Sequence, residues 1–259
     1  MVKNGDRTMK GLERFSLKGK RALVTGSSRG IGFALASGLA AAGAQVTLCG
    51  RDASTLDTAL AALRHVDAQA EAWPLDVSQP QAIRDFFARL PPFDVVINNA
   101  GTEQLCPSLD VDEALWQRIV DTNLKGAFFV AQAAARGMSG RGGAILNLCS
   151  LTSEVGVPGA AAYGASKSGL AGLTRTLATE WASQGIRVNG LGPGYFSTDL
   201  TAEFYQDRDW CEAMLQKIPL GRFGELDDLI GTAVFLCSDA SRYLTGQVIY
   251  VDGGYLAAI

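Results

Sequence analysis

Apolar residues fall into short, nearly continuous runs, separated by longer segments in which apolar positions recur every three or four residues. Runs such as RALVTG (21–26) and FDVVINNAG (93–101) predict buried strands, because strands covered on both faces are apolar throughout. The segment GIGFALASGLAAAG (30–43) has the period of a helix. Strands that alternate with helices of this length indicate parallel β-α-β units.

The same alternation continues to the end of the chain. Further strands are predicted at AQVTLCG (44–50), AEAWPLDV (70–77), GAILNLCS (143–150), IRVNGLGPG (186–194) and GQVIYVDGG (246–254). Pro74 indicates that the third strand lies at an edge or bends, since proline cannot donate a ladder hydrogen bond. We therefore predict one α/β domain at 17–259, a doubly wound Rossmann-type parallel sheet with helices on both faces, after a flexible tail at 1–16.

Bulk composition excludes several classes of function. Of 259 residues, 47% are hydrophobic, and the formal net charge of -3 gives no long-range attraction to nucleic acid or to an anionic membrane. No apolar run approaches the roughly 20 residues that a membrane span needs. The polar start has no signal core, and five scattered cysteines without a C-x-x-C spacing suit a reducing compartment, so we predict a cytoplasmic protein. The chain has one histidine, His65, without a cluster of carboxylates or thiols around it in the sequence, so we predict no metal site.

A glycine-rich turn, VTGSSRGIG (24–32), follows the first strand and opens the first helix. Gly26 permits a tight turn, and Gly30 and Gly32 allow the backbone close to a ligand and to the sheet. The amides of the helix N-terminus suit a pyrophosphate. The spacing is G-x-x-x-G-x-G rather than G-x-G-x-x-G, so a purely structural turn is the alternative.

The end of the second strand, LCGRD, bears on which dinucleotide is bound. An acidic residue there would hold an NAD ribose, whereas arginine accommodates the 2′-phosphate of NADP. Arg51 comes first, and Arg29 stands just before the turn glycine, so the pattern favours NADP(H) over NAD(H). In the alternative, Arg51 is solvated and Asp52 caps the next helix.

Tyr163 and Lys167 stand four residues apart in AAYGASKSGLAGLTRTLATEW (161–181), which predicts that they are neighbours on one helix face. A free tyrosine has a pKa of about 10, and a nearby ammonium favours the phenolate. The pair could therefore exchange a proton with an alcohol. Ser150, at the carboxyl end of a strand, could hold the substrate oxygen. A surface pair is the alternative.

Taken in order, these motifs resemble the short-chain dehydrogenase/reductase family over residues 16 to 259. The matching pieces are TGSSRGIG, NNAG (98–101), DTNLKG, YGASK (163–167), PGYFST (193–198) and VDGG (251–254), with Ser150 thirteen positions before Tyr163. The resemblance implies an NAD(P)-dependent enzyme that interconverts a secondary alcohol and a ketone. It also implies a homotetramer, with the helices at 112–138 and 162–182 paired across a two-fold axis.

The resemblance further implies roles for individual residues. Ser150, Tyr163 and Lys167 would be catalytic, and Asn123 would hold a water in a proton path. Asn98 would line the cofactor at the end of the fourth strand, together with a larger cofactor-binding set: Gly26, Ser28, Arg29, Gly30, Ile31, Gly32, Arg51, Asp76, Val77, Asn99, Ala100, Gly101, Tyr163, Lys167, Pro193, Gly194, Phe196 and Thr198.

Within the family, the segments LCGRD, VNGLGPGYFSTDL and GRFGELDDLIGTAVFLCSDAS resemble gluconate 5-dehydrogenase-like members, which implies a sugar acid or polyol as the small-molecule substrate. Glu103 departs from that pattern, because an acidic group after NNAG could repel a carboxylate substrate. Arg222 and Lys217 would offset its charge if they faced the pocket.

Two other functions stay open at this point. A 3-oxoacyl-[acyl-carrier-protein] reductase would need a basic docking surface, which Arg136, Arg141 and Arg175 could supply. A catalytically silent nicotinamide-sensing or structural subunit is a possibility of another class. In the segment 197–220, Phe204, Tyr205 and Trp210 either form a lid over the site or pack on the core.

Overall fold

The computed structural model describes residues 11–197 and 204–259 and contains a parallel sheet within them. Its strands are β1 Arg21–Thr25, β2 Gln45–Gly50, β3 Glu71–Pro74, β4 Val95–Asn98, β5 Gly143–Leu148, β6 Ile186–Pro193 and β7 Val248–Val251. They lie in the order β3-β2-β1-β4-β5-β6-β7. The prediction of an edge position for the strand with Pro74 is confirmed, because β3 ends the sheet.

Helices cover both faces of this sheet. They are α1 Gly30–Ala41, α2 Ala53–Leu63, α3 Pro80–Arg89, α4 Glu113–Val120, α5 Ala127–Met138, α6 Ala161–Trp181, α7 Arg208–Leu215 and α8 Asp227–Cys237. Residues of α1, α2 and α8 pack in one apolar cluster, and residues of α3, α5 and α6 pack in another. The predicted doubly wound α/β fold is confirmed.

Strand β1 shows why the strands are apolar at every position. Leu23 packs in the cluster of α3, α5 and α6, whereas Val24 packs in the cluster of α1, α2 and α8. Successive strand residues point to opposite faces, so both faces need an apolar side chain. Each such side chain stabilises the fold by about 1.5–3 kcal/mol when it is fully buried.

The helix predicted over 112–138 differs from a regular α-helix in its middle. Between α4 and α5 the segment Asp121–Gly126 is π-helical. A Cβ on Gly126 would lie 2.6 Å from the carbonyl oxygen of Val77, so the helix passes close to the chain that follows β3. The bulge turns Asn123 into the protein, where it is 1% exposed.

Part of the predicted tail lies outside the described residues, which begin at 11. Gly11–Phe15 forms a 3-10 helix, and the ring centre of Phe15 lies 6.1 Å from that of Phe235 on α8. The Leu17 amide donates to the Ala42 carbonyl oxygen at 2.8 Å. The domain boundary at residue 16 stays a prediction. In the part of the chain that is described, no helix has the length and apolarity needed to cross a bilayer.

Candidate active site

The sheet reverses its winding between β1 and β4, the two adjacent strands from which the order runs outward in both directions. Parallel sheets of this type bind ligands in the crevice at the carboxyl ends of the strands beside such a reversal. Gly26 follows β1, Asn99 follows β4, Ser150 follows β5 and Gly194 follows β6. These predicted site residues therefore lie together at the carboxyl end of the sheet.

The glycine turn after β1 has the backbone that the sequence predicts. Gly26 and Gly30 have φ of 62° and 56°, in the left-handed region. A Cβ on Gly26 would lie 2.7 Å from the Cα of Ala100, and one on Gly32 would lie 2.3 Å from the Gly26 carbonyl oxygen. The N-cap residue of α1, Arg29, makes no side-chain capping hydrogen bond. The start of α1 can therefore serve as an anion site, with Ile31 in its first turn.

Thr25 ties this turn to the end of β4. Its hydroxyl oxygen accepts hydrogen bonds from the amides of Asn99 and Ala100, at 3.0 and 2.9 Å. The Asn99 side-chain amide donates to the carbonyl oxygens of Thr25 and Gly26, both at 2.9 Å. Thr25 is not among the residues predicted from the sequence, although a polar residue at the end of an apolar strand is a usable signal.

Asn98 lies one position earlier and on the other side of the strand. Its side chain is 4% exposed and donates to the Ala127 carbonyl oxygen at 3.0 Å and to the Asn147 amide oxygen at 2.9 Å. It therefore joins β4 to β5 and α5.

The end of β2 carries the residues expected to choose the dinucleotide. The Ser27 hydroxyl oxygen accepts from the Cys49 amide at 3.0 Å, which holds the glycine turn, with Ser28, against β2. Asp52 caps α2 by accepting from the Thr55 amide at 2.8 Å, and this bond lowers the pKa of its carboxyl. The structure thus uses Asp52 as a helix cap, while Arg51 beside it is exposed.

Asp76 and Val77 follow the edge strand β3. Asp76 accepts from the amide and hydroxyl of Ser78, at 2.9 and 2.8 Å. The Leu75 amide donates to the Gly50 carbonyl oxygen at 2.8 Å, so this segment stays beside the end of β2. Val77 is 6% exposed.

Ser150, Tyr163 and Lys167 lie close together. The Ser153 hydroxyl, three residues after Ser150, donates to the Lys167 carbonyl oxygen at 3.0 Å, and the Lys167 nitrogen lies 5.5 Å from the Tyr163 ring centre. Ser150 accepts from the Thr152 amide at 3.2 Å, which caps a short 3-10 helix and fixes the serine. The Lys167 ammonium donates to the Leu148 carbonyl oxygen at 2.6 Å.

The pKa of Tyr163 is raised in this structure, opposite to the lowering expected from its lysine neighbour. Burial is the largest cause, and the negative charge of Glu103 adds to it, while the hydrogen bond from Ser150 lowers the pKa. Burial also lowers the pKa of Lys167. Desolvation is therefore the dominant influence on the pKa of the phenol.

Asn123 connects the π-helical segment to the site. Its side-chain oxygen accepts from the Thr102 amide at 2.8 Å, and its nitrogen donates to the Thr102 carbonyl oxygen at 2.9 Å. The same nitrogen donates to the Ser166 hydroxyl at 3.2 Å. A Cβ on Gly101 would lie 3.8 Å from the Lys167 nitrogen, so the chain after β4 passes close to the lysine.

The turn after β6 closes the other side of the site. Pro193 ends β6, and the Gly194 amide donates to the Val251 carbonyl oxygen at 2.8 Å. Phe196 is 4% exposed and packs in the core cluster of α1, α2 and α8, so its ring belongs to the core rather than to an open surface. Thr198 lies outside the described residues.

Aromatic rings gather beside this turn. Tyr205 lies 4.8 Å from Phe223 between ring centres, and Tyr195 lies 5.8 Å from Trp210 and 5.3 Å from Tyr255. The segment predicted as a lid or as core packing thus contributes Tyr205 and Trp210 to an aromatic cluster with Tyr195. Residues 198–203 and the Phe204 side chain lie outside the description.

Glu103 lies in a loop that is held at both ends. Asn123 binds Thr102, and the Cys106 amide donates to the Gly159 carbonyl oxygen at 2.9 Å, just before α6. Burial raises the pKa of Glu103, and the charge of Lys167 lowers it. Arg222 and Lys217 would offset the negative charge of Glu103 if they faced the pocket. Arg222 instead binds Asp228 at 2.7 and 3.0 Å, and Lys217 is exposed.

A doubly wound sheet with a glycine turn at its winding reversal and a serine–tyrosine–lysine set beside it defines a dinucleotide-dependent dehydrogenase or reductase. The sequence model of a family described as enoyl-(acyl carrier protein) reductase matches residues 26–256. With the relatives below, this match shows that the chain belongs to the short-chain dehydrogenase/reductase family, whose members are oxidoreductases.

Three similar proteins illustrate the relationship. Gluconate 5-dehydrogenase of Gluconobacter oxydans is 42% identical over 95% of this chain and 98% of its own. Galactitol 2-dehydrogenase (L-tagatose-forming) of Cereibacter sphaeroides is 38% identical over 93% of this chain and 96% of its own. A gluconate 5-dehydrogenase from Burkholderia cenocepacia, solved with NADP and tartrate, superposes with a TM-score of 0.92 at 40% identity, covering 96% of this chain and 99% of its own.

Proposed function

We propose that this protein is an NADP(H)-dependent oxidoreductase that interconverts a secondary alcohol and a ketone on a sugar acid or polyol. The observation that carries the proposal is the gathering of Ser150, Tyr163 and Lys167 at the carboxyl end of the sheet, beside the glycine turn: Lys167 is bound to the Leu148 carbonyl oxygen at 2.6 Å, two residues before Ser150, and lies 5.5 Å from the Tyr163 ring centre.

The cofactor cleft fits a dinucleotide. The close approaches at Gly26 and Gly32 leave no room for a side chain, and the uncapped start of α1 suits a pyrophosphate. When bound there, the nicotinamide accepts or supplies the hydride. We assign the base contacts to Asp76 and Val77 and the nicotinamide side to Pro193, Gly194 and the chain after Asn99, by analogy with the family.

In this proposal Ser150 holds the substrate oxygen, and Tyr163 transfers the proton. In the reductive direction the phenol gives its proton to the forming alkoxide, and in the oxidative direction the phenolate removes the alcohol proton. Burial raises the pKa of Tyr163, so the protonated form required for reduction dominates at neutral pH. Asn123, fixed by Thr102 and bound to the Ser166 hydroxyl next to Lys167 in the chain, would hold a water in the proton path.

The preference for NADP(H) is assigned to Arg51 and Arg29. The Asp52 cap of α2 does not by itself distinguish the two cofactors, and the support comes from the exposed Arg51 at the end of β2, the position where an arginine accommodates a 2′-phosphate. The similar enzyme from Burkholderia cenocepacia binds NADP, which also favours this choice.

The test is a substrate panel with NADP⁺ and NAD⁺ in one direction and NADPH and NADH in the other. It contains gluconate, galactitol and other polyols, their ketones, and 3-oxoacyl thioesters. Turnover of a sugar acid or polyol supports the proposal. Turnover confined to thioesters would replace it with the carrier-protein reductase, although Arg141 of that docking surface is already paired with Asp94 at 3.0 Å. Binding of NADPH without any turnover would indicate the silent subunit.

We further propose a homotetramer in the cytoplasm. The small side chains of α6, such as Gly172, with nothing within 4 Å of an added Cβ, would allow a second helix close by. All five cysteines are free, as a reducing compartment would keep them. Sedimentation equilibrium of the purified protein tests the assembly, and a monomer would exclude it.

A further inference from the structure

Resting on the proposed function, we infer that Glu103 determines the charge of the substrate, so that the site takes an uncharged polyol or ketose in preference to a sugar acid. Glu103 belongs to the loop between β4 and α4, which passes beside the catalytic set: a Cβ on Gly101, two residues earlier, would lie 3.8 Å from the Lys167 nitrogen.

The position of this loop is set by main-chain contacts on both sides of the carboxylate. Thr102, the residue before Glu103, has its amide and its carbonyl oxygen bound by Asn123, at 2.8 and 2.9 Å. Cys106, three residues after it, donates to the Gly159 carbonyl oxygen at 2.9 Å, one turn ahead of Tyr163. Glu103 therefore lies in the loop between two anchors, one at Asn123 and one at Gly159, just before the helix that carries Tyr163 and Lys167.

Its charge reaches the groups that surround the reacting oxygen. The Glu103 carboxylate interacts electrostatically with Tyr163 and Lys167, and with Tyr195 after β6. These residues come from different elements, and the effect on each of them agrees with the position that the anchors at Thr102 and Cys106 give to the loop. Glu103 is partly buried, which weakens the screening of its charge by water.

Lys167 is the cation that opposes this charge, and because the Leu148 carbonyl oxygen holds its ammonium at 2.6 Å, it does so alike for either substrate. Two further cations have other partners. Arg222 is paired with Asp228. Arg118 of α4 is exposed and donates to the Gln104 side chain, and Glu154 accepts from the Tyr250 hydroxyl at 2.8 Å.

Hydrogen-bonding chemistry separates the two substrate classes. A carboxylate only accepts hydrogen bonds, so a sugar acid would meet Glu103 with charge repulsion and without a shared proton. A polyol hydroxyl donates, and a hydrogen bond to a carboxylate is stronger than one between neutral groups. The same carboxylate therefore favours the neutral substrate and disfavours the anionic one.

The experiment compares kcat/KM for galactitol and for gluconate with saturating NADP⁺, in the wild type, Glu103→Gln and Glu103→Asp. We expect the wild type to prefer galactitol. Glu103→Gln should raise the gluconate-to-galactitol ratio tenfold or more, and Glu103→Asp, which keeps the charge, should not. A smaller rise in Glu103→Gln, or a wild type that prefers gluconate, overturns the inference.

Glu180→Gln is the matched control. It removes the same charge from an exposed position on α6, about 26 Å along the helix axis from Tyr163, and should leave the ratio unchanged. A ratio that rises equally in Glu180→Gln would show an effect of net charge alone and would overturn the inference.

Binding measurements separate this inference from the proposed function. If neither substrate is oxidised by any variant, the proposed function fails. Calorimetric titration of gluconate and galactitol into protein with NADP⁺ then decides the inference. Tenfold tighter binding of gluconate to Glu103→Gln than to the wild type, with galactitol binding not strengthened, supports it, and any other result, including no binding, overturns it.

Discussion

The Lys167 ammonium donates to the Leu148 carbonyl oxygen at 2.6 Å and lies 5.5 Å from the ring centre of Tyr163. Leu148 ends β5, and Ser150 follows two residues later. The lysine thus attaches the helix that carries the tyrosine to the strand that carries the serine. Its role includes holding the geometry of the pair as well as contributing charge.

Tyr163→Phe removes the hydroxyl proposed to transfer the proton and leaves the ring in place. We expect turnover to fall by about 100-fold or more, because a positioned acid–base group contributes at least that much, while NADPH binding survives. Steady-state kinetics and fluorescence titration of NADPH measure the two effects. Tyr243→Phe, at a fully exposed position, should change neither. A loss below tenfold, about 1.4 kcal/mol of barrier, would mean that another group moves the proton.

Glu103→Gln should shift the pH profile of alcohol oxidation to lower pH. The Glu103 charge raises the pKa of Tyr163 and that of Lys167, so its removal lowers both. Oxidation needs the phenolate, and its rate therefore rises through the Tyr163 pKa as pH increases. The rising limb of kcat/KM for a polyol between pH 6 and 11 reports the shift, and Glu180→Gln should leave it in place. A limb that is unmoved or moved to higher pH in Glu103→Gln would contradict the coupling.

Arg51→Ala should weaken NADP(H) much more than NAD(H). The arginine is exposed at the end of β2, where a 2′-phosphate would lie, and a lost charge-assisted contact costs about 1.5–3 kcal/mol. Dissociation constants for NADPH and NADH test this. Arg64→Ala, which removes the same charge at the exposed end of α2, is the control. Equal losses for both cofactors would make Arg51 a bystander.

Gly32→Ala should destabilise the fold and abolish cofactor binding. The new Cβ would lie 2.3 Å from the Gly26 carbonyl oxygen and 2.4 Å from the Asn99 amide nitrogen, and overpacking of this kind costs about 1–3 kcal/mol. Urea unfolding and NADPH titration measure the two losses. Gly231→Ala on α8, with open space around the Cβ, should instead stabilise by about 0.5–1 kcal/mol. Unaltered NADPH affinity in Gly32→Ala would show that the turn does not approach the cofactor.

The sequence predicted those features that depend on local pattern. Apolar runs located the strands, and Pro74 correctly indicated the edge strand β3. The spacing of Tyr163 and Lys167 correctly indicated a shared helix face. Such features depend on a few neighbouring residues, whose periodicity can be read directly.

Features that depend on tertiary contacts could not be predicted in this way. The segment DTNLKG has an ordinary helical composition, and its π-helical form occurs where Gly126 closely approaches Val77, a contact distant in sequence. The raised pKa of Tyr163 comes from burial and from a carboxylate sixty positions earlier in the chain. Asn98 and Asn99 look alike in sequence, yet the alternation of strand side chains sends them to different neighbours.

Main-chain atoms anchor both ends of the loop that carries Glu103, through Asn123 at Thr102 and through Gly159 at Cys106. Neither of these hydrogen bonds involves the side chain at position 103. A single exchange at that codon can therefore redirect the enzyme toward a differently charged metabolite while the supporting scaffold persists, which makes the position a natural starting point for redesigning selectivity.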